Sequence, residues 1–109
     1  MVYDSPQSQW ADIIRERIVR DFDPQRVVLF GSRARGNAAP DSDFDVLVIF
    51  RGEVDRRRKA IDIRHALKDL PVGKDVIVST MDEINRRGNM IGSVLRSALR
   101  EGVVLFERN

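Results

Sequence analysis

Short apolar runs alternate with amphipathic segments along most of this chain. One helix face is marked by four apolar side chains at helical spacing: Trp10, Ile13, Ile14 and Ile18. This spacing predicts a first helix that stops before Pro24, because proline cannot continue the hydrogen-bond ladder. Ser5 and Pro6 supply the expected N-cap and first helical position.

A second amphipathic segment predicts a helix from about Asp55 to Leu70. Its apolar face is formed by Ala60, Ile63, Leu67 and Leu70. Pro71 and Gly73 follow at once and are expected to end the helix. This helix should pack one stripe against a sheet and leave the opposite face to solvent.

The last third of the chain predicts a short helix from about Asp82 and a longer one from Met90 to Arg100, with a break at Gly88. The longer helix carries a strongly apolar set of side chains: Met90, Ile91, Val94, Leu95 and Leu99. Two interpretations of this set are equally open. It covers the sheet as ordinary core, or it forms an apolar surface that meets a partner subunit.

Four apolar runs between these helices predict strands, at residues 26–30, 46–50, 75–78 and 103–106. Strands separated by helices favour an α/β (α+β) fold, with a small mixed or largely parallel sheet of about four strands and helices mainly on one face. The run at 46–50 is apolar without alternation, which predicts that both faces of this strand are covered.

Composition is consistent with one compact domain over residues 1–109, with 42% hydrophobic and 33% charged residues. No apolar run approaches the roughly 20 residues that span a bilayer, and the polar amino terminus does not resemble a secretion signal. The chain has no cysteine, which excludes disulfides and thiolate metal sites and is compatible with a cytoplasmic location. The net charge of +2 and the lack of a dense basic face argue against nucleic acid as a direct partner.

Candidate chemistry begins where the first strand ends, at Gly31 and Ser32. Glycine allows the backbone to approach a ligand closely and serine adds a hydroxyl, so phosphate oxygens suit this turn. Ten residues later come Asp43 and Asp45, whose alternation along a strand puts both carboxylates on one face while Phe44 turns into the core. Two anions this close coexist best with a cation between them, and oxygen ligands favour Mg²⁺.

Further charged residues extend the candidate site. Arg33 and Arg35 follow the glycine-serine turn and would add positive potential for a polyphosphate, especially if a short helix opens there. Asp75, at the start of the next apolar run, supplies a third carboxylate. Three aspartates are what a two-metal phosphoryl-transfer site requires, and Asp75 could also help to deprotonate an acceptor hydroxyl.

Each of these features also has a simpler structural interpretation. Asp-x-Asp and Gly-Ser are common in turns, and Asp75 alone could be a solvated strand end. Their order along the chain is more specific than any one of them. An apolar strand is followed directly by a glycine turn, a short basic segment, a polar loop, the acidic pair and a second apolar strand.

The segments GSRARG (residues 31–36) and SDFD (residues 42–45) resemble the signature of the polymerase-β-like nucleotidyltransferase superfamily. The short chain is similar to its minimal nucleotidyltransferases, known as MNT proteins. The resemblance implies that Gly31, Ser32 and Ser42 contact the nucleotide. It implies that Asp43, Asp45 and Asp75 are both catalytic and metal-binding, with two Mg²⁺ ions in the active complex.

The same resemblance implies transfer of a nucleoside monophosphate from a triphosphate, with ATP as the family expectation. Some MNT proteins are antitoxins that pair with a helical HEPN ribonuclease toxin and transfer AMP to one of its tyrosines. A hetero-oligomer with such a toxin is therefore the leading expectation. Two alternatives stay open: an antitoxin that acts by occlusion without catalysis, and a small-molecule or RNA-end nucleotidyltransferase that needs a separate helical subunit.

Overall fold

The structure is a computed structural model, and it describes residues 8–36, 39, 42–87 and 94–108. The elements in chain order are α1 (Ser8–Phe22), β1 (Arg26–Phe30), α2 (Ser32–Arg35), β2 (Phe44–Phe50), α3 (Arg56–Ala66), β3 (Lys74–Thr80), α4 (Met81–Arg87), α5 (Val94–Glu101) and β4 (Val103–Glu107). Within these residues no helix is both long enough and apolar enough to cross a bilayer.

The four strands form one mixed sheet in the order β3-β2-β1-β4. Strand β1 pairs antiparallel with β2 on one side and with β4 on the other, whereas β2 and β3 are parallel and α3 lies between them in the chain. The prediction of a small mixed sheet is confirmed. The alternative of a largely parallel sheet is wrong, because β1 runs against both of its neighbours.

Both faces of the sheet carry a hydrophobic cluster. The larger cluster joins α1 and α3 to alternate side chains of the strands, with Ile14, Ile18, Ile63 and Leu67 fully buried. The smaller one lies on the opposite face, where Ala98 and Leu99 of α5 and Ile84 of α4 pack near Val28, Leu47 and Ile49. Strand β2 is therefore buried on both faces from Val46 to Phe50, as its unbroken apolar run predicts.

The ends of the first two long helices follow from local chemistry. Helix α1 ends at Phe22, where Asp23 takes the left-handed conformation (φ 49°) just before Pro24. Helix α3 begins after Asp55, whose side chain accepts a hydrogen bond from the Arg58 N–H at 3.1 Å. The prediction that α3 extends to Leu70 is too long. The regular helix ends at Ala66 and the chain continues in turns, although the four predicted apolar side chains are all buried.

Several sequence expectations fall partly outside the described residues. The capping pair Ser5-Pro6 lies there, as do Gly88 and the predicted first turn of the last helix at Met90 and Ile91. Within the described part, α5 begins at Val94 and ends at Glu101, one residue beyond the prediction. Leu99 packs against the smaller cluster, which favours a core role for that one side chain.

Gly102 allows α5 to pack tightly on β1. A Cβ at this position would overlap the Ala98 carbonyl oxygen and the Val28 side chain, and would lie 3.0 Å from the Leu29 carbonyl oxygen. Two of these three neighbours are backbone atoms, which cannot rotate away as a side-chain tip can. The short connection between α5 and β4 therefore depends on glycine at this position.

We expect Gly102→Ala to lower the free energy of unfolding by about 1–3 kcal/mol, the usual range for forced overpacking. Urea denaturation followed by circular dichroism measures this change. Gly52→Ala is the matched control, because nothing lies within 4 Å of its Cβ position, and it should change stability by less than about 0.5 kcal/mol. Equal stability of the two variants would contradict the packing argument.

Candidate active site

Three strand ends meet at one edge of the sheet. Phe30, the last residue of β1, is paired with Asp45 of β2, and Asp45 is paired in turn with Asp75 of β3. Because directly paired residues share a face, the carboxylates of Asp45 and Asp75 lie on the face that carries α4 and α5. The predicted metal-binding strands are thus neighbours in the sheet.

The turn after β1 is shaped around Asp45. Gly31 has φ 75° and ψ −157°, a conformation that favours glycine, and it precedes the short helix α2, which the sequence left open. A Cβ on Gly31 would overlap Oδ2 of Asp45 and lie 3.2 Å from its Cγ. The absent side chain therefore makes room for the carboxylate. Ser32 follows at the start of α2 and is half-buried beside this turn.

A second glycine does the same for Asp43, and the sequence interpretation missed it. Gly73 precedes β3; its carbonyl accepts a hydrogen bond from the Phe44 N–H at 2.8 Å. A Cβ on Gly73 would overlap Oδ1 of Asp43 and lie 2.8 Å from its Cγ. In the sequence, Gly73 indicates only a helix end. Its place just before Lys74 and Asp75 was the one available signal that it lies close to the site.

The environment of Asp45 shows that the three acids are electrostatically coupled. Partial burial raises the pKa of the Asp45 carboxyl above its usual value, the negative charges of Asp75 and then Asp43 raise it further, and Arg35 opposes these effects. Asp43 and Asp75 are themselves exposed. A cation bound among the three carboxylates would relieve this repulsion.

The donor set suits a hard divalent cation, because aspartate oxygens are the ligands that such ions prefer. The two glycines let the carboxylates of Asp43 and Asp45 pack against the backbone at this edge of the sheet. Nevertheless, across the described ranges no three acidic or histidine side chains converge closely enough to form a finished metal site. The residues fit a metal by chemistry and location, whereas the final ligand geometry requires side-chain rotation.

The structure separates the two arginines of the turn. Arg35 is half-exposed, lies 3.8 Å from Glu101, and is close enough to influence the pKa of Asp45. Arg33 is only 2% exposed and donates hydrogen bonds from Nε and Nη2 to the Ser42 carbonyl oxygen at 3.2 and 2.6 Å. The phosphate contact predicted for Arg33 does not match this arrangement, because its guanidinium is packed inside the protein. Ser42 uses its backbone here, and its half-buried side chain stays a candidate for nucleotide contact.

Other conspicuous basic residues have structural contacts of their own. Lys74 donates a hydrogen bond to the Leu70 carbonyl oxygen at 2.8 Å. In the run 56–59, Arg56 pairs with Glu83, and Lys59 lies over the rings of Phe22 and Phe50. These contacts indicate structural roles for the basic run.

Asp45 should destabilise the metal-free fold at neutral pH. Its pKa is higher in the folded than in the unfolded state, so this carboxyl favours folding at low pH, and that contribution is lost as the pH rises through the folded-state pKa. Asp45→Asn should therefore raise the melting temperature at pH 7 in EDTA, by a margin that narrows towards about pH 4. Melting curves recorded between pH 4 and pH 7 measure this difference in melting temperature. Asp12→Asn, at an exposed position of α1, is the control. If Asp45→Asn melted at a lower temperature than the wild type at pH 7, Asp45 would stabilise the metal-free fold, contrary to this expectation.

Gly73→Ala should damage the site while leaving the fold intact. Gly73 does not have a positive φ, so the backbone accepts alanine, and the added methyl group displaces an exposed side chain. We expect Mn²⁺ affinity to fall about 10-fold or more, as for other changes that misplace a metal ligand. Isothermal titration calorimetry measures the affinity and thermal melting measures the fold. Gly52→Ala is again the control, and unchanged affinity in Gly73→Ala would refute the role of Gly73.

The chain is similar to known proteins in sequence and in fold. The family model described as the nucleotidyltransferase domain matches residues 11–105. A structure from Sulfolobus solfataricus, provisionally assigned as a nucleotidyltransferase, is 25% identical with a TM-score of 0.59, over 92% of this chain and 79% of that one. No curated protein matches the chain.

Two further similar structures are toxin–antitoxin proteins. One, with AMP-PNP, is 21% identical with a TM-score of 0.57, over 90% of this chain and 74% of that one. The other is a mutant of the toxin–antitoxin MntA-HpeT, 17% identical with a TM-score of 0.52, over 96% of this chain and 76% of that one. These two likenesses concern the fold alone. The family model covers nearly the whole chain and spans both glycine turns and all three aspartates, so this protein belongs to the nucleotidyltransferase domain family.

Proposed function

We propose that this protein transfers a nucleoside monophosphate, AMP from ATP, to a tyrosine hydroxyl of a HEPN-type toxin and thereby acts as its antitoxin. The observation that carries the nucleotidyl-transfer part is the meeting of Asp43, Asp45 and Asp75 at one sheet edge beside the Gly31 turn. We place the reaction in the cytoplasm, where ATP and Mg²⁺ are abundant.

The chemistry is an in-line displacement at the α-phosphorus. The acceptor hydroxyl oxygen forms a bond to this phosphorus, the bond to the oxygen that bridges to the β-phosphate breaks, and pyrophosphate leaves with that electron pair. Asp75 would accept the hydroxyl proton, and its exposure at the same edge supports this role. Two Mg²⁺ ions, held by the three aspartates, would supply the charge stabilisation that this reaction needs.

The triphosphate is expected to lie along the β1–α2 turn. Gly31 permits close backbone approach, and the Ser32 hydroxyl can donate a hydrogen bond to a phosphate oxygen. Arg35 adds a guanidinium that is free to move towards the ligand, since its pairing with Glu101 at 3.8 Å is exposed and weak. Ser42, whose carbonyl oxygen accepts hydrogen bonds from Arg33 of α2, would add a second hydroxyl just before Asp43.

Two observations favour an acceptor on another protein. The two toxin–antitoxin structures share this fold, and one of them was solved with an ATP analogue. Asp43 and Asp75 are exposed, so a hydroxyl on another protein could reach the site without opening it. Docking of the toxin would then determine which hydroxyl is modified.

Substitution of each aspartate tests the catalytic assignment. Asp43→Asn, Asp45→Asn and Asp75→Asn should each lower nucleotidyl transfer by about 10²–10³-fold, because the asparagine amide neither neutralises a cation nor accepts a proton. Asp12→Asn should leave the rate unchanged, since Asp12 is exposed on α1, outside this site. Full activity of Asp75→Asn, with the other two variants inactive, would remove Asp75 from the site.

The acceptor is identified by intact mass measurement. The protein is incubated with Mg²⁺ and each of the four nucleoside triphosphates, alone and with the product of the neighbouring gene. A gain of one AMP on a tyrosine of that partner supports the proposal. Inhibition of the toxin without a mass gain favours occlusion, and labelling of RNA ends or a small molecule favours the third alternative.

A further inference from the structure

Arg33 is a buried charged side chain at the edge of the candidate site. A guanidinium with 2% exposure loses most of its hydration, so its position must be stabilised by contacts in the protein. Two of its nitrogens, Nε and Nη2, donate to the same acceptor, the Ser42 carbonyl oxygen. The guanidinium carbon also lies 4.4 Å from the centre of the Phe44 ring, which is itself fully buried.

These contacts hold the two residues that flank Asp43 in the sequence. Ser42 precedes Asp43 and Phe44 follows it, so one guanidinium holds the residues on both sides of the aspartate. On the other side, the Phe44 N–H donates to the Gly73 carbonyl oxygen at 2.8 Å. The backbone of Asp43 is therefore fixed between α2 and the start of β3, while its carboxylate stays exposed.

We propose that Arg33 is a positioning residue: it holds the Asp43 backbone so that the carboxylate meets a divalent cation bound with Asp45. The proposal rests on the nucleotidyl-transfer site described above, but it does not depend on which hydroxyl is the acceptor. It assigns Arg33 to the metal half of the site, although the sequence places it beside the phosphate turn.

The geometry of the side chain supports this assignment. An arginine can donate two hydrogen bonds in its plane while its face stacks on a ring, and a lysine ammonium cannot do both. For Arg33 to reach a phosphate, it would have to leave the Ser42 carbonyl and the Phe44 ring. Arg35, two residues later, is already half-exposed and can reach a ligand without any such loss.

The test measures metal and nucleotide binding separately in Arg33→Lys, with no transfer reaction. Mn²⁺ affinity is determined by calorimetry in the presence of a non-hydrolysable ATP analogue, and affinity for the analogue alone is determined in EDTA. We expect Mn²⁺ binding to weaken at least 10-fold, while metal-free nucleotide affinity changes less than about 3-fold. Arg35→Met should show the reverse pattern, with weaker nucleotide binding and little change in Mn²⁺ affinity. Arg20→Lys, at an exposed position of α1, should change neither affinity.

Two results would overturn the proposal. If nucleotide affinity falls and Mn²⁺ binding does not, Arg33 is a phosphate ligand; if neither changes, the contact has no role in the site. Should Arg33→Lys fail to fold, Phe44→Leu keeps the hydrogen bonds and removes the stacking, and it should weaken Mn²⁺ binding to a smaller extent. Unaltered Mn²⁺ affinity in a folded Phe44→Leu protein would then count against the proposal.

The binding measurements and the intact-mass measurement together distinguish this proposal from the acceptor proposal. Wild-type protein that binds Mn²⁺ but modifies no partner would overturn the HEPN assignment and leave the role of Arg33 standing. Wild-type protein that binds no Mn²⁺ would overturn both.

Discussion

Electrostatic repulsion among three carboxylates is the constraint around which this fold is arranged. Asp45 lies between Asp43 along its own strand and Asp75 on the next strand, and its pKa is raised by burial and by both neighbours. A fold that keeps such a group in place without a counter-ion gives up stability at neutral pH. That loss is explained if the acids are selected for the cation they bind.

The protein holds these acids by backbone features more than by side-chain partners. Gly31 and Gly73 leave space that any Cβ would fill, one at Asp45 and the other at Asp43. The Phe44 N–H donates to the Gly73 carbonyl just before β3, and the Ser42 carbonyl accepts from Arg33 of α2. These two hydrogen bonds fix the start of β2 on either side of Asp43. The carboxylates consequently remain available for ligands, because few of their oxygens are used to hold the structure.

The small size of the domain explains why the site is open. Helices α1 and α3 cover one face of the sheet with the larger cluster, while the shorter α4 and α5 cover the other face near Leu47 and Ile49. The carboxylates of Asp45 and Asp75 lie on this second face, at the end of the sheet. An exposed acidic edge is compatible with an acceptor that is itself a protein.

Periodicity and motif spacing were sufficient to predict the strands and the main helices and to identify three aspartates as candidate site residues, because each of these depends on local sequence. An apolar run forms a strand wherever it can be buried, and Asp-x-Asp places two carboxylates on one face in any strand.

The roles of Arg33 and Gly73 could not be predicted in this way. Arg33 follows a phosphate-type turn in sequence, yet tertiary packing puts its guanidinium against Ser42 and Phe44, nine and eleven residues away. Gly73 is about 30 residues from Asp43, and only the parallel pairing of β2 with β3 brings them together. The sequence by itself determined which residues are candidates for the chemistry, whereas the tertiary structure decided which residues hold them, because such contacts depend on strand pairing and side-chain burial that local patterns do not encode.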